Sequence, residues 1–194
     1  MQAKKRYVIG FWIAAALVVI LGISMVAVLS AFTATTNSGF QVTYTAGANV
    51  EATITGNYKV GSKTAVPFKT SAGSETITFN TGGNETTSMD FAKVSGVTMG
   101  KDDVVLLTYT IVNNSTTAAV KLTASATVTS TLTVTYSIDN SAWKTSITDV
   151  VPASGLSIAK GATQKVYIKM VVPDGLKTST ASFDGDFDFS LTTL

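Results

Sequence analysis

From Val104 onward, apolar and polar residues alternate along the chain. Val105, Leu107, Tyr109 and Ile111 share one side of Val104–Val112. In the next run Val120, Leu122, Ala124, Ala126 and Val128 oppose Lys121, Thr123, Ser125 and Thr127. Leu132, Val134, Tyr136 and Ile138 repeat the pattern, as do Val166, Ile168, Met170 and Val172, and at the end Phe187, Phe189 and Leu191. Side chains of a strand point alternately to its two faces, so each run predicts a strand with one buried and one solvated face, the habit of antiparallel sheets. The first half is less regular. Phe40–Thr45, Val50–Thr55, Tyr58–Phe68 and Glu75–Asn80 read as strands, Thr81–Asn84 as a turn, and Met89–Gly100 as a short helix or an irregular crossover. Roughly eight to ten short strands with no dividing linker predict an all-β domain, an antiparallel β-sandwich or jelly roll.

One segment departs from this pattern. Tyr7–Phe32 carries no charge and follows the basic cluster Lys4-Lys5-Arg6. As a helix it would reach roughly 39 Å at 1.5 Å per residue, enough for a bilayer core of about 30 Å. The basic cluster places the N-terminus in the cytoplasm and the rest outside. The expected organisation is therefore a basic n-region (1–6), a hydrophobic signal or transmembrane helix (7–32) and an exported domain (33–194) that is extracellular or at the cell surface. Three fates of the leader stay open. Its length suits an uncleaved anchor. Val28 and Ser30 are small enough for signal peptidase, which would cut between Ser30 and Ala31. The stretch from Lys5 to Gly10 before Phe11 resembles a prepilin junction, with Ala15 where bacterial type IV pilins carry Glu.

Composition removes more functions than it adds. Neither Cys nor His is present. That excludes disulfides, thiolate nucleophiles, and the commonest general base and transition-metal ligand. No HExxH, P-loop, GxSxG or dinucleotide fingerprint occurs. Adjacent Asp102 and Asp103 would point to opposite faces of a strand and do not make a paired-carboxylate site. An enzyme is not expected. A net charge of +2 argues against nucleic acid as a partner. Charged residues are only 13% of the chain, and Thr and Ser take their place on the polar faces. Such faces are either simply solvated or suited to packing against copies of the same chain.

Two patterns offer candidate sites. Asp184, Asp186 and Asp188 in FDGDFDF would fall on one face of an extended strand. A calcium ion would suit such oxygen ligands outside a cell; the other reading is an edge strand whose acidic face discourages mispairing, offset by Lys165 or Lys169. Asn84, Asn113 and Asn114 each begin a glycosylation sequon. Asn113-Asn114 also reads as a turn between strands, and Trp143 as either a packing residue or a sugar-stacking one.

Ser30-Ala31-Phe32-Thr33-Ala34-Thr35-Thr36-Asn37-Ser38-Gly39, followed by Thr45-Ala46-Gly47, resembles the N-terminal region of TasA/camelysin-like exported fibre proteins, whose relatives include subunits of archaeal bundling pili. Leu107–Asn114, Lys160–Gln164 and the final FDGDFDFSL are similar to the family in order and character. The resemblance implies a β-sandwich subunit that assembles by donor-strand complementation with copies of itself, head to tail. It implies a donor within residues 31–45, with Phe32, Phe40, Val42 and Tyr44 as its apolar residues. The metalloprotease activity ascribed to some members does not carry over to a chain without His. Beside this filament subunit stand two alternatives: a surface binding domain anchored in the membrane by residues 7–32, and a type IV pilin-like subunit with residues 11–32 as the filament core.

Overall fold

The alternating runs become strands of two main sheets whose apolar faces meet. The computed structural model describes residues 32–34, 41–90, 97–99, 103–173, 180, 181 and 183–194. In chain order the strands are β1 (Phe32–Ala34), β2 (Gln41–Ala46), β3 (Ala52–Val60), β4 (Val66–Pro67), β5 (Thr76–Phe79), β6 (Glu85–Asp90), β7 (Val97–Met99), β8 (Val104–Asn113), β9 (Val120–Ser130), β10 (Thr133–Ser137), β11 (Leu156–Ile158), β12 (Thr163–Val171), β13 (Thr180–Ala181) and β14 (Phe183–Thr193). The described residues are all-β apart from one 3-10 turn, Ile147–Asp149. None of their helices is long and apolar enough to cross a membrane. Most of the expected leader helix, through Ala31, lies outside the described residues.

One sheet runs β10-β12-β8-β3-β4, with β5 also on β3. The other runs β11-β9-β14-β2-β6, and a small third sheet runs β13-β1-β7. The expectation of antiparallel pairing holds for the long ladders β3–β8, β8–β12 and β9–β14. It fails where the N-terminal strands enter. β2 lies parallel to β14, with Val42 opposite Phe187, Tyr44 opposite Phe189 and Ala46 opposite Leu191. β1 is likewise parallel to β13. Alternation fixes which face a residue occupies, not the direction of its neighbour, and these strands are too distant in sequence for a hairpin to impose one.

The core follows the sequence pattern closely. β8 alternates half-buried and buried along its whole length. Val105, Leu107, Tyr109 and Ile111 point inward against Val42, Tyr44, Phe187, Phe189 and Leu191 of the opposing sheet. The centre is aromatic. Tyr44 stacks on Phe189 at 5.3 Å between ring centroids, Tyr109 tilts against Phe189 at 5.3 Å, and Phe68 closes on Tyr109 at 5.5 Å.

The first half departs from expectation at Gly56. The runs Val50–Thr55 and Tyr58–Phe68 are not two strands; β3 continues through Gly56, and the chain then turns back into the short β4. A Cβ on Gly56 would stand 2.3 Å from Cδ2 of Phe68, so the glycine is the slot that seats this ring. The Phe68 amide fixes it by donating to the Gly56 carbonyl at 2.9 Å. Met89–Gly100, expected to be helical or irregular, contains the end of β6 and all of β7; residues 91–96 lie outside the described residues.

Gly56→Ala tests this seat. Overpacking should cost about 1–3 kcal/mol of stability in denaturant unfolding, because the Phe68 ring must shift. A change within error would show that Phe68 is not locked there.

Candidate functional site

β14 carries the acidic row, and the structure corrects its expected setting. It is a central strand, paired with β9 on one side and β2 on the other, not an edge. Asp186 and Asp188 are exposed on the outer face, beside Thr127 and Ser125 of β9. Ser125 Oγ donates to Asp188 Oδ2 at 3.4 Å. Lys165 and Lys169, the expected counter-charges, belong to β12 in the other sheet. The side chain of Asp184 lies outside the described residues. Among the described residues no three acidic groups come together as a metal site.

The sequons separate by burial. Asn113, at the end of β8, is fully buried, and its Nδ2 donates to the carbonyls of Ala118 and Ile158 at 3.0 Å and of Ala159 at 3.2 Å. Its Oδ1 accepts the Ser115 amide at 3.0 Å. Asn113 is thus the hub that ties the β8–β9 turn to the end of β11, and it has no room for a glycan in the folded chain. Asn114 is exposed, with Nδ2 donating to Thr53 Oγ1 at 3.1 Å, and Asn84 is exposed in the turn before β6.

Residues 138–146 fold back over the end of β10, where Tyr136 and Lys144 exchange backbone hydrogen bonds of 2.8 and 2.9 Å. Asp139 organises this return. It accepts from the amides of Ala142 and Ser141 and from Ser137 Oγ, and these donors hold its carboxyl well below the usual carboxylate range. Lys169 Nζ lies 4.1 Å above the Trp143 ring, so that face of the indole is occupied by a cation rather than offered to a sugar.

In the core, the hydroxyls of Tyr44 and Tyr109 are buried without a hydrogen-bond partner. Burial pushes both phenols well above their ordinary value, and the proximity of Tyr44 adds to the effect on Tyr109. The paired rings serve packing between the sheets and offer no acid or base near neutral pH.

On the flank between β9 and β10 a cleft of mixed apolar and hydroxyl lining lies beside a stretch of β9 that no described strand pairs on the side away from β14. β11 pairs with β9 only from Val120 to Leu122. Up to that point the inward row of β9 is sealed, with Val120 1% and Leu122 0% exposed. Beyond it, Ala124, Ala126 and Val128 face inward yet are only half-buried. A cleft of about 370 Å³ opens there, lined by Ala126, Val128, Leu132, Val134, Tyr136 and Ile147 together with the hydroxyl residues Ser130, Thr145 and Ser146. Sequence alternation gave the inward row, but nothing local signals that the covering strand stops short.

Of the expected donor residues, Val42 and Tyr44 are fully buried in β2, between β14 and β6 of their own chain. Phe32 lies in β1, whose backbone pairs with β13 and β7; its side chain and the whole of Phe40 lie outside the described residues. The cleavage candidates Ser30, Ala31, Gly10 and Phe11 lie outside them as well.

No protein-family model matches the chain, and no curated protein does. Among solved structures, IP-1A from Alcaligenes faecalis is similar at 7% identity over 82% of this chain and 93% of its own, with a TM-score of 0.22. Red sea bream transglutaminase is similar at 11% identity over 86% of this chain, with a TM-score of 0.20. The chain spans 31% of the length of that enzyme. Both values fall well below those of chains that share a fold.

Two measurements follow from the buried polar groups. A phenol whose pKa is higher in the folded than in the unfolded chain, where it is about 10, leaves stability intact below that value and erodes it as pH rises above. Tyr44 and Tyr109 should therefore ionise, by ultraviolet absorbance, only together with unfolding, and Tyr109→Phe should lessen the alkaline loss. Ionisation of all tyrosines in a still-folded chain would contradict their burial. Asn113→Ala should cost about 1–3 kcal/mol in denaturant unfolding, since it leaves buried carbonyls without their donor.

Proposed function

We propose that this chain is a structural, non-enzymatic subunit of an extracellular or cell-surface filament, assembled when the N-terminal segment of one copy completes a sheet of the next. On this reading the two sheets are a sandwich of the jelly-roll kind, and residues 7–32 form the helical leader that carries the domain across the membrane. Neither calcium nor any other cofactor is called for.

The observation that carries the proposal is the way the N-terminal strands are held. β1 is paired on both sides, by β13 and β7, and β2 on both sides, by β14 and β6. None of these partners is a hairpin neighbour. A strand held only by distant backbone partners makes the same bonds when another copy supplies it. A head-to-tail exchange of this kind builds an open filament rather than a closed ring. The burial of Tyr44 narrows the donor. Withdrawing β2 would open the aromatic core and take away the strand that holds β6, so the exchanged residues are those before Gln41, from Ala31 to Phe40, rather than the whole of 31–45.

Peptide mass spectrometry on protein sheared from intact cells, with the same fraction viewed by negative-stain microscopy, tests the proposal. Expected are a mature start at Ala31 and thin fibres, and loss of the fibres when residues 31–40 are deleted from a chain that still folds. An intact N-terminus confined to the detergent phase, without fibres, would replace the filament by an anchored surface domain. A start at Phe11 would replace it by a pilin.

A further inference from the structure

The open flank of β9 carries an inference that needs none of the residues before β2. Among the described residues, no strand pairs with this edge from Thr123 to Thr129, past the end of β11. An unpaired edge is a template for another strand, and proteins normally guard such edges with charges, Pro or a covering loop. Several other flanks among the described residues are guarded. β6 carries Glu85. β4 contains Pro67, and Lys69 Nζ lies 3.6 Å from Glu75 Oε1 between β4 and β5. The end of β10 is covered by the return through Lys144. The β9 edge has no charge and no Pro, and only the short turn at Ile147 approaches it: from Leu122 to Ile138 the chain contains no charged residue, no Pro and no Gly.

We infer that the β9 edge is a lateral self-association site, where β9 of a second copy pairs antiparallel about a two-fold axis near Ala126 and Thr127. Three observations favour a second copy as the occupant. The edge is uncharged, so two copies meet without repulsion, whereas an acidic or basic partner would find no counter-charge. The strand is self-complementary: antiparallel pairing sets exposed Ser125, Thr127 and Thr129 against the same hydroxyl residues, a favourable cross-strand combination. On the inner side it sets small Ala124 and Ala126 near Val128, so each copy covers the half-buried apolar row and the cleft of the other. The contact is isologous, side by side, and so distinct from head-to-tail exchange of the N-terminal segment. Together the two would join filaments laterally.

The absence of Cys makes the test clean, because any introduced thiol is the only one. Single cysteines are placed at each position from Ser125 to Val128 in the full-length chain, with Thr76→Cys on exposed β5 as the control. Under mild oxidation a disulfide-linked homodimer should form most at one position on the axis and fall off at its neighbours. It should persist when residues 31–40 are deleted. Ala126→Lys, which can extend its ammonium out of the open cleft in the monomer, should fold normally yet weaken dimerisation about tenfold or more by placing like charges together at the axis. Cross-linking no greater than at Thr76→Cys would overturn the inference. So would an adduct with another protein, or loss of the homodimer on deleting 31–40, which would make this flank the acceptor of the donated strand. Failure of fibres to form while the homodimer persists would count against the filament and leave the lateral site standing.

Discussion

The contact of Tyr44 with Phe189 and Tyr109 is the point on which the two sheets depend. Tyr44 comes from the N-terminal strand, Phe189 from the C-terminal strand and Tyr109 from the middle of the opposite sheet, so one cluster closes the chain end to end and face to face. Its rings take edge and offset arrangements at separations where aromatic pairs add to the energy of burial. Two phenol hydroxyls are taken out of water without a partner to make this contact. Burying an unbonded hydroxyl is unfavourable, so the packing of the rings must outweigh it. This is why β2 can be held without a hairpin: its inward side chains, rather than its sequence neighbours, fix its place and register.

That arrangement divides the molecule into a closed half and an open half. Around β8, β2 and β14 as far as Leu191 the inward residues are sealed, and Gly56 gives up its side chain so that Phe68 can complete the layer. Toward β9 and β10 the layers separate. β11 is three residues long while β9 has eleven, so the sheet that seals Leu122 leaves Val128 half open. The short 3-10 turn fills part of this gap with Ile147, and Val150 and Val151 just after it are also buried.

The sequence carried the faces of the strands far better than their partners. Alternation alone placed Val105, Leu107, Tyr109 and Ile111 together, and the structure buries each of them, because burial of one face is what period-two patterning records. Partner and direction are settled by contacts distant in sequence, which leave no local trace. The same FDGDFDF pattern therefore fits an edge strand and a central one, and only the ladders on both sides decide. Asn113 shows the limit from the other side. Its turn was legible, but the three carbonyls its amide serves come from two separate loops, and a sequon motif says nothing about burial. The open flank was least legible of all. It arises where β11 ends rather than from any residue in β9.

The placement of charge on the second sheet bears on how copies of the chain meet. Its outer face is largely Thr and Ser, which by itself would permit two such faces to stack. Asp186 and Asp188 stand at the centre of that face, on β14, with hydroxyl neighbours and no lysine on the adjacent strands opposite them. Stacking two such faces would bring carboxylates together and remove them from water, and both effects oppose it. The β9 edge of the same sheet carries no charge at all. Central acidic residues thus disfavour face-to-face contact while the uncharged edge leaves edge-to-edge pairing unopposed. A sheet with so few charges can in this way direct association to its edge without a specific attractive charge anywhere in the contact.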